Sequence, residues 1–152
     1  MSQTTVQRLT YLLDTVPGHL YQFSETEMSQ RPAPEKWSKK EIIGHLIDSA
    51  ANNHRRFILA QLESQPYQLV RYAQNDWVRL NNYQEAPVEE IISLWLFFNR
   101  QIVRVISQIP ESMLLYRCVS GDQEPFTLGW LIDDYLAHME HHLQQVFPVY
   151  PF

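Results

Sequence analysis

Three histidines crowd one short run near the end of the chain: His138, His141 and His142. Around them Leu128, Leu131, Ile132, Tyr135, Met139, Leu143 and Val146 recur at steps of three and four, the period of a helix with one buried face. Thr127 stands at the N-cap position, and Pro148 follows where such a helix must already have stopped. At about 100° per residue, His142 falls closest to the centre of the apolar face, His138 on its flank, and His141 toward solvent. Imidazoles one turn apart can share a metal ion, the geometric reason that an H-E-x-x-H helix holds zinc. Here Met139, Glu140 and His141 lie between the pair, so the protease glutamate is missing and the chain is no zincin. Taken alone, the helix supports two readings: a ligand pair, or two histidines satisfied by hydrogen bonds at the edge of a core. A third ligand from elsewhere decides between them.

The elements that must position such a site can be traced along the chain. Val6, Leu9, Leu12, Leu13 and Val16 form a first helical stripe, predicted to end at Pro17-Gly18 with His19 in a surface turn beyond it. Ser24 and Glu27 are a capping-box pattern for a short helix that must end by Pro32. Ser38 and Glu41 repeat that pattern at the head of a long helix with Ile42, Ile43, Leu46, Ile47, Ala50, Phe57 and Ile58 on its apolar side. Beside that side runs a polar stripe, His45, Ser49, Asn53 and Arg56, which either lines a cavity or is a solvated flank. For Arg56 the solvated flank is the expectation, and His54 reads as a packing histidine.

Between Glu63 and Pro87 no long helix is visible; Asp76 is expected to cap a short helix running through Tyr83. Tyr67, Tyr72, Trp77 and Tyr83 predict that this segment folds onto the body of the protein. Pro87 at the first helical position opens a third long helix, whose stripe from Val88 to Ile109 is interrupted on its buried side by Asn99. Met113 to Phe126 reads as a loop or short hairpin turning at Ser120-Gly121-Asp122. Four long amphipathic helices with long connections predict an all-α fold, a four-helix bundle with long crossover connections, as one domain over residues 1–152. Bundles build metal sites in their cores from facing helices, and there His45 would meet the His138/His142 pair.

Composition narrows the class of function. Hydrophobic residues make up 45% and charged residues 19% of the chain, the balance of a globular protein. A net charge of −5 without a Lys/Arg cluster argues against nucleic acid or an anionic membrane as partner. No secretory signal or membrane-length apolar segment is visible, so a cytoplasmic protein is expected. The single cysteine, Cys118, excludes an internal disulfide and a Cys-rich zinc framework, leaving histidine and carboxylate as metal ligands.

Taken together, Trp37-Ser38, His45-Leu46 within EIIGHLIDS, and His138-x-x-His141-His142-Leu143 with Gln145 resemble the DinB/YfiT-like family of metal-dependent helical bundles. Asn75-Asp76-Trp77-Val78 and Tyr135 also fit a branch of it, and order and spacing match over nearly the whole chain. The resemblance implies that His45, His138 and His142 bind one divalent ion, most often nickel or zinc in such proteins. Some relatives use a low-molecular-weight thiol in S-transfer or isomerase reactions, and others are called hydrolases. Three imidazoles with an open position make a catalytic rather than a structural site, and an ion there can lower the pKa of a coordinated water or hold a thiol as thiolate. Asp134 and Asp48 are expected to accept hydrogen bonds from the ligands' second ring nitrogens. Chiefly because the resemblance includes relatives that use small thiols, and secondarily because no general base stands at a useful spacing, a thiol-dependent S-transferase acting on a small molecule leads. The alternatives are a metal-dependent hydrolase and a non-catalytic metal-binding or structural bundle, with a homodimer through one helical face left open.

Overall fold

A computed structural model describes residues 2–152. Its helices are α1 (Ser2–Leu20), α2 (Glu25–Ser29), α3 (Lys39–Leu62), α4 (Gln74–Asn81), α5 (Val88–Ile106) and α6 (Leu128–Val146). The four long ones, α1, α3, α5 and α6, form the bundle. α3 packs against α5 and α6, and α1 packs against the same two. α1 and α3, and likewise α5 and α6, therefore sit across the bundle from each other, and all three connections between the long helices are long. None of these helices is long and apolar enough to cross a membrane.

The helix starts follow from local chemistry. Ser24 and Ser38 each accept from the backbone N–H three residues on, while Glu27 and Glu41 reach back to the cap N–H. Thr127 caps α6 by accepting from the N–H of Trp130. The stripes then bury as their spacing requires: Leu12, Val16, Phe57, Trp95, Ile102 and Leu143 are wholly enclosed.

Three expectations are corrected. α1 does not stop at Pro17 but runs to Leu20 with the proline inside its last turns. The proline forfeits one helical hydrogen bond. Continuing the helix buries Leu20 completely and sets His19 edge-on to Phe152, with ring centroids 4.9 Å apart, so His19 is a packing residue and not a surface turn. Asp76 is not a cap: α4 begins after Ala73, whose methyl group can accept no capping hydrogen bond, and Asp76 sits in the first turn paired with Arg79 at 3.1 Å. Pro87 is the residue before α5 and not its first.

The expected hairpin exists as β2 (Arg117–Val119) and β3 (Phe126–Thr127), turning through Gly121 at φ 58°, the left-handed region that glycine enters without cost. A third strand, β1 (Tyr67–Gln68), pairs parallel to β2 with Tyr67 opposite Cys118. This small sheet ties the segment after α3 to the residue before α6. Cys118 lies buried in it, and burial pushes its thiol up to about 11, so it stays protonated and inert.

Candidate metal centre

α3 and α6 run antiparallel, and the polar side chains on their facing surfaces meet in order. His45 lies against His142, Ser49 against His138, and Phe57 against Tyr135. The three imidazoles of His45, His138 and His142 make a near-equilateral triangle, with ring centroids 5.0, 4.6 and 4.6 Å apart. One ring nitrogen from each lies within 4.8 Å of the other two. Trp37 covers the outer side, its ring centroid 4.9 Å from that of His45.

Each ring is held differently. His142 Nδ1 lies 2.9 Å from Gln145 Oε1, so Nδ1–H donates there and leaves the Nε2 lone pair facing the cluster. The amide of Gln145 also reaches His141 Nε2 at 3.3 Å, placing His141 outside the triangle. His138 Nδ1 faces the Ser49 hydroxyl at 3.5 Å, and its Nε2 lies 3.1 Å from His45 Nε2. His45 is fully buried, and its Nδ1 has no partner among the described residues.

Burial sets the charge state. Desolvation, and then the neighbouring His142 and His138, push His45 down to about 3. Desolvation first, then His142 and His141, pushes His138 down to about 4. His142 is lowered as well, again by desolvation. His45 and His138 are therefore neutral over the ordinary pH range, and burial favours the neutral form of His142 as well, the form in which imidazole donates to a metal. Two nitrogen ligands ~2.1 Å from a tetrahedral ion lie ~3.4 Å apart, close to the His45–His138 separation of 3.1 Å. No carboxylate contacts the rings among the described residues, so the donor set is three neutral nitrogens converging on one space. It fits a divalent ion.

The expected carboxylate partners are elsewhere. Asp48 turns to the other side of α3, where Oδ1 accepts from Tyr83 Oη at 2.7 Å and Asn81 Nδ2 at 2.9 Å. Asp134 is exposed at the rim of a cavity and does not bond His138. The groups in their places, Ser49 and Gln145, stand four residues after His45 and three after His142, spacings that point to them once the rings are placed.

A cavity of about 290 Å³ opens beside His138. The rest of the polar stripe lines it: Ser49, Asn53 and Arg56, with Tyr72 and Tyr135 opposite. Arg56 thus corrects its expected place on a solvated flank, because the 63–73 segment folds over it and Val70 O accepts from Nη2 at 2.8 Å. Asn99 stands behind this wall, accepting from the Tyr135 hydroxyl, while Trp77 stacks edge-on to Tyr72 from outside. His54 packs on Phe98, as expected. A second cavity of about 470 Å³ touches His142 from the Trp37 side.

A family model of the DinB superfamily matches residues 4–146. A protein of Halalkalibacterium halodurans, provisionally named a metal-dependent hydrolase, is 22% identical over 138 residues, 88% of this chain and 80% of its own length. One of Oceanobacillus iheyensis with the same provisional name is 24% identical over 110 residues, 72% of this chain and 63% of its own. The fold is that of YfiT from Bacillus subtilis, a four-helix bundle of unusual topology provisionally described as a metal-dependent hydrolase. Its TM-score is 0.80 at 20% identity, over 95% of this chain and 83% of that one. A mycothiol-dependent maleylpyruvate isomerase shares the fold with a TM-score of 0.73 at 10% identity, over 94% of this chain and 60% of that one.

Proposed function

This chain belongs to the DinB superfamily, and from that premise we propose that it is a divalent-metal-dependent enzyme in which His45, His138 and His142 hold the ion. The observation that carries the reading is the convergence of three imidazoles, one fully buried and two half-buried, from two facing helices, with no carboxylate among them. When bound, the ion supplies a Lewis acid able to activate a water or a thiol at neutral pH. The protein's own contribution is to orient the rings. Gln145 fixes the tautomer of His142, Ser49 meets the far nitrogen of His138, and Trp37 shields His45 from water.

Transfer of a low-molecular-weight thiol to a small electrophile is the reaction we favour, with nickel or zinc as the ion. Two features support it. Among the described residues no carboxylate is placed as a general base beside the rings, and a thiol needs less help from one than water does. Cavities also reach the cluster from two sides, at His138 and at His142, as two substrates would require. Hydrolysis is the second reading, supported by the provisional names of both sequence relatives and of YfiT. Turnover of a generic electrophile by the metal-loaded protein, with and without a small thiol, separates the two. Thiol-dependent loss of electrophile, abolished in His142→Ala, is expected. Thiol-independent cleavage of an ester or amide, abolished by the same change, overturns transfer in favour of hydrolysis.

A further inference from the structure

The cavity beside His138 is lined by a cation that bonds no anion among the described residues. Arg56 is half-buried, and its guanidinium is held only by neutral groups: Val70 O at 2.8 Å, Asn53 Oδ1 at 3.4 Å and the face of Tyr72 at 5.8 Å. Its Nε–H is buried without an acceptor. None of the ion pairs among the described residues includes it, whereas Arg8, Arg31 and Arg79 each bond a carboxylate. Arg71, on the same cavity, is tied to Ser120 through Oγ and the backbone carbonyl, again neutral oxygens. Asp134 is the one carboxylate on the lining, and it pairs with neither arginine. In a chain of net charge −5, this cavity has an excess of positive charge.

Desolvating a guanidinium without a counter-charge costs free energy that the fold does not recover from its own residues. Arginine is also the side chain best shaped to hold a planar carboxylate through paired N–H groups. We propose that Arg56 is the anchor for a carboxylate of the small-molecule substrate, which lies in this cavity with its reacting group toward His138. The choice of reacting group rests on the metal-enzyme reading; the carboxylate anchor rests on Arg56 and its surroundings alone. Tyr72 and Asn53 position the guanidinium, one by its ring face and one by its side-chain oxygen. The substrate class is therefore a small organic acid, for which a cavity of about 290 Å³ has room.

The test uses succinate as the acid and succinamide as its neutral counterpart, titrated calorimetrically into the protein as purified. Metal content is measured in the same samples. Succinate should bind at least about tenfold more tightly than succinamide, and Arg56→Gln should weaken succinate by about 10- to 100-fold, the range of a charge-assisted hydrogen bond. Succinamide affinity and metal content should be unchanged in that variant, and Arg56→Lys should retain part of the preference. The wild-type comparison of acid and amide needs no substitution, so loosening of the Val70 segment cannot mask the result. Equal affinity for the two compounds, or no binding of succinate, overturns the proposal. So does preference for succinate that survives in Arg56→Gln and disappears in His138→Ala, since the acid would then sit on the ion. Arg56-dependent binding in a protein that takes up no metal would uphold the carboxylate anchor and sink the metal-enzyme reading. A full complement of metal with no acid preference would do the reverse.

Discussion

The two halves of α3 bury polar side chains to opposite ends. In its first turn, Ser38 and Glu41 are nearly inaccessible, yet every polar atom finds a partner within the protein. Glu41 accepts from Arg31 at 2.7 and 3.1 Å and from Ser38 N at 3.2 Å, and Ser38 Oγ donates to Gln84 at 2.6 Å. Gln84 in turn donates to Ser29 O. Lys40 bonds Glu25 and reaches Gln84 O. Further along the same helix, His45 and Arg56 each keep a buried nitrogen without a partner among the described residues, and Arg56 lines a cavity. A buried polar group that closes on its neighbours specifies a fold, whereas one left open marks where something from outside completes it.

Substitutions in the two halves should therefore separate stability from binding. The largest expected effect is on the ion: His45→Ala, His138→Ala or His142→Ala should each remove nearly all bound metal by elemental analysis, while His141→Ala leaves it in place. Loss of metal in His141→Ala with retention in His142→Ala would show that the wrong face of α6 had been assigned. None of the three should unfold the chain, since each deletes a group the fold leaves only partly satisfied.

Asp48 stands within the open half, between His45 and Arg56, and is a mixed case, with Oδ1 doubly bonded and Oδ2 unpartnered among the described residues. Burial raises its carboxyl from 3.8 to about 6, against the smaller opposing effect of Tyr83 and Asn81. A folded-state pKa above the unfolded one gives stability that is complete below about pH 4 and lost as pH rises through about 6. Asp48→Asn should remove that loss, so the variant gains on the wild type between those limits, on the order of 2–3 kcal/mol. Urea titrations at pH 4 and pH 7 would read it, and parallel pH profiles for the two proteins would refute it.

In the closed half, Glu41→Ala should cost about 2 kcal/mol of stability, since it strips the cap box and the Arg31 bonds together. Metal content should not change. The smallest effect belongs to Gln145→Ala, which removes only the acceptor that orients His142. Metal affinity should fall about tenfold with the melting temperature unmoved, and Gln145→Glu should restore it. A drop in melting temperature equal to that of Glu41→Ala would place Gln145 with the closed half instead.

How far these halves were legible follows the same division. The capping boxes at Ser24 and Ser38, the cap at Thr127 and the four apolar stripes are local signals, and the helices begin where those residues put them. The His45–Ser49–Asn53–Arg56 stripe was visible as a pattern, but whether it faces water depends on the 63–73 segment, which no local rule places. Arg56 was misjudged for that reason. β1 was missed because a two-residue strand has no periodicity; only its pairing with β2 defines it. Asp48 and Asp134 looked like partners for the histidines by sequence distance alone. Helix geometry sends Asp48 to Tyr83 and leaves Asp134 at the rim.

The small sheet has one further consequence, in chain entropy. His45 and His138 are 93 residues apart, and closing so long a loop in an unordered chain costs about 4 kcal/mol. The pairing of Tyr67 with Cys118, and of Cys118 with Phe126, pins the end of α3 to the start of α6 at the far end of the two helices from His142. Loop closure is thus completed by backbone and core before any ligand arrives. Whatever bridges the imidazoles encounters them at a high effective concentration and orders almost nothing further by binding. Binding then adds to the stability of the bundle by mass action alone, without being needed to close the chain.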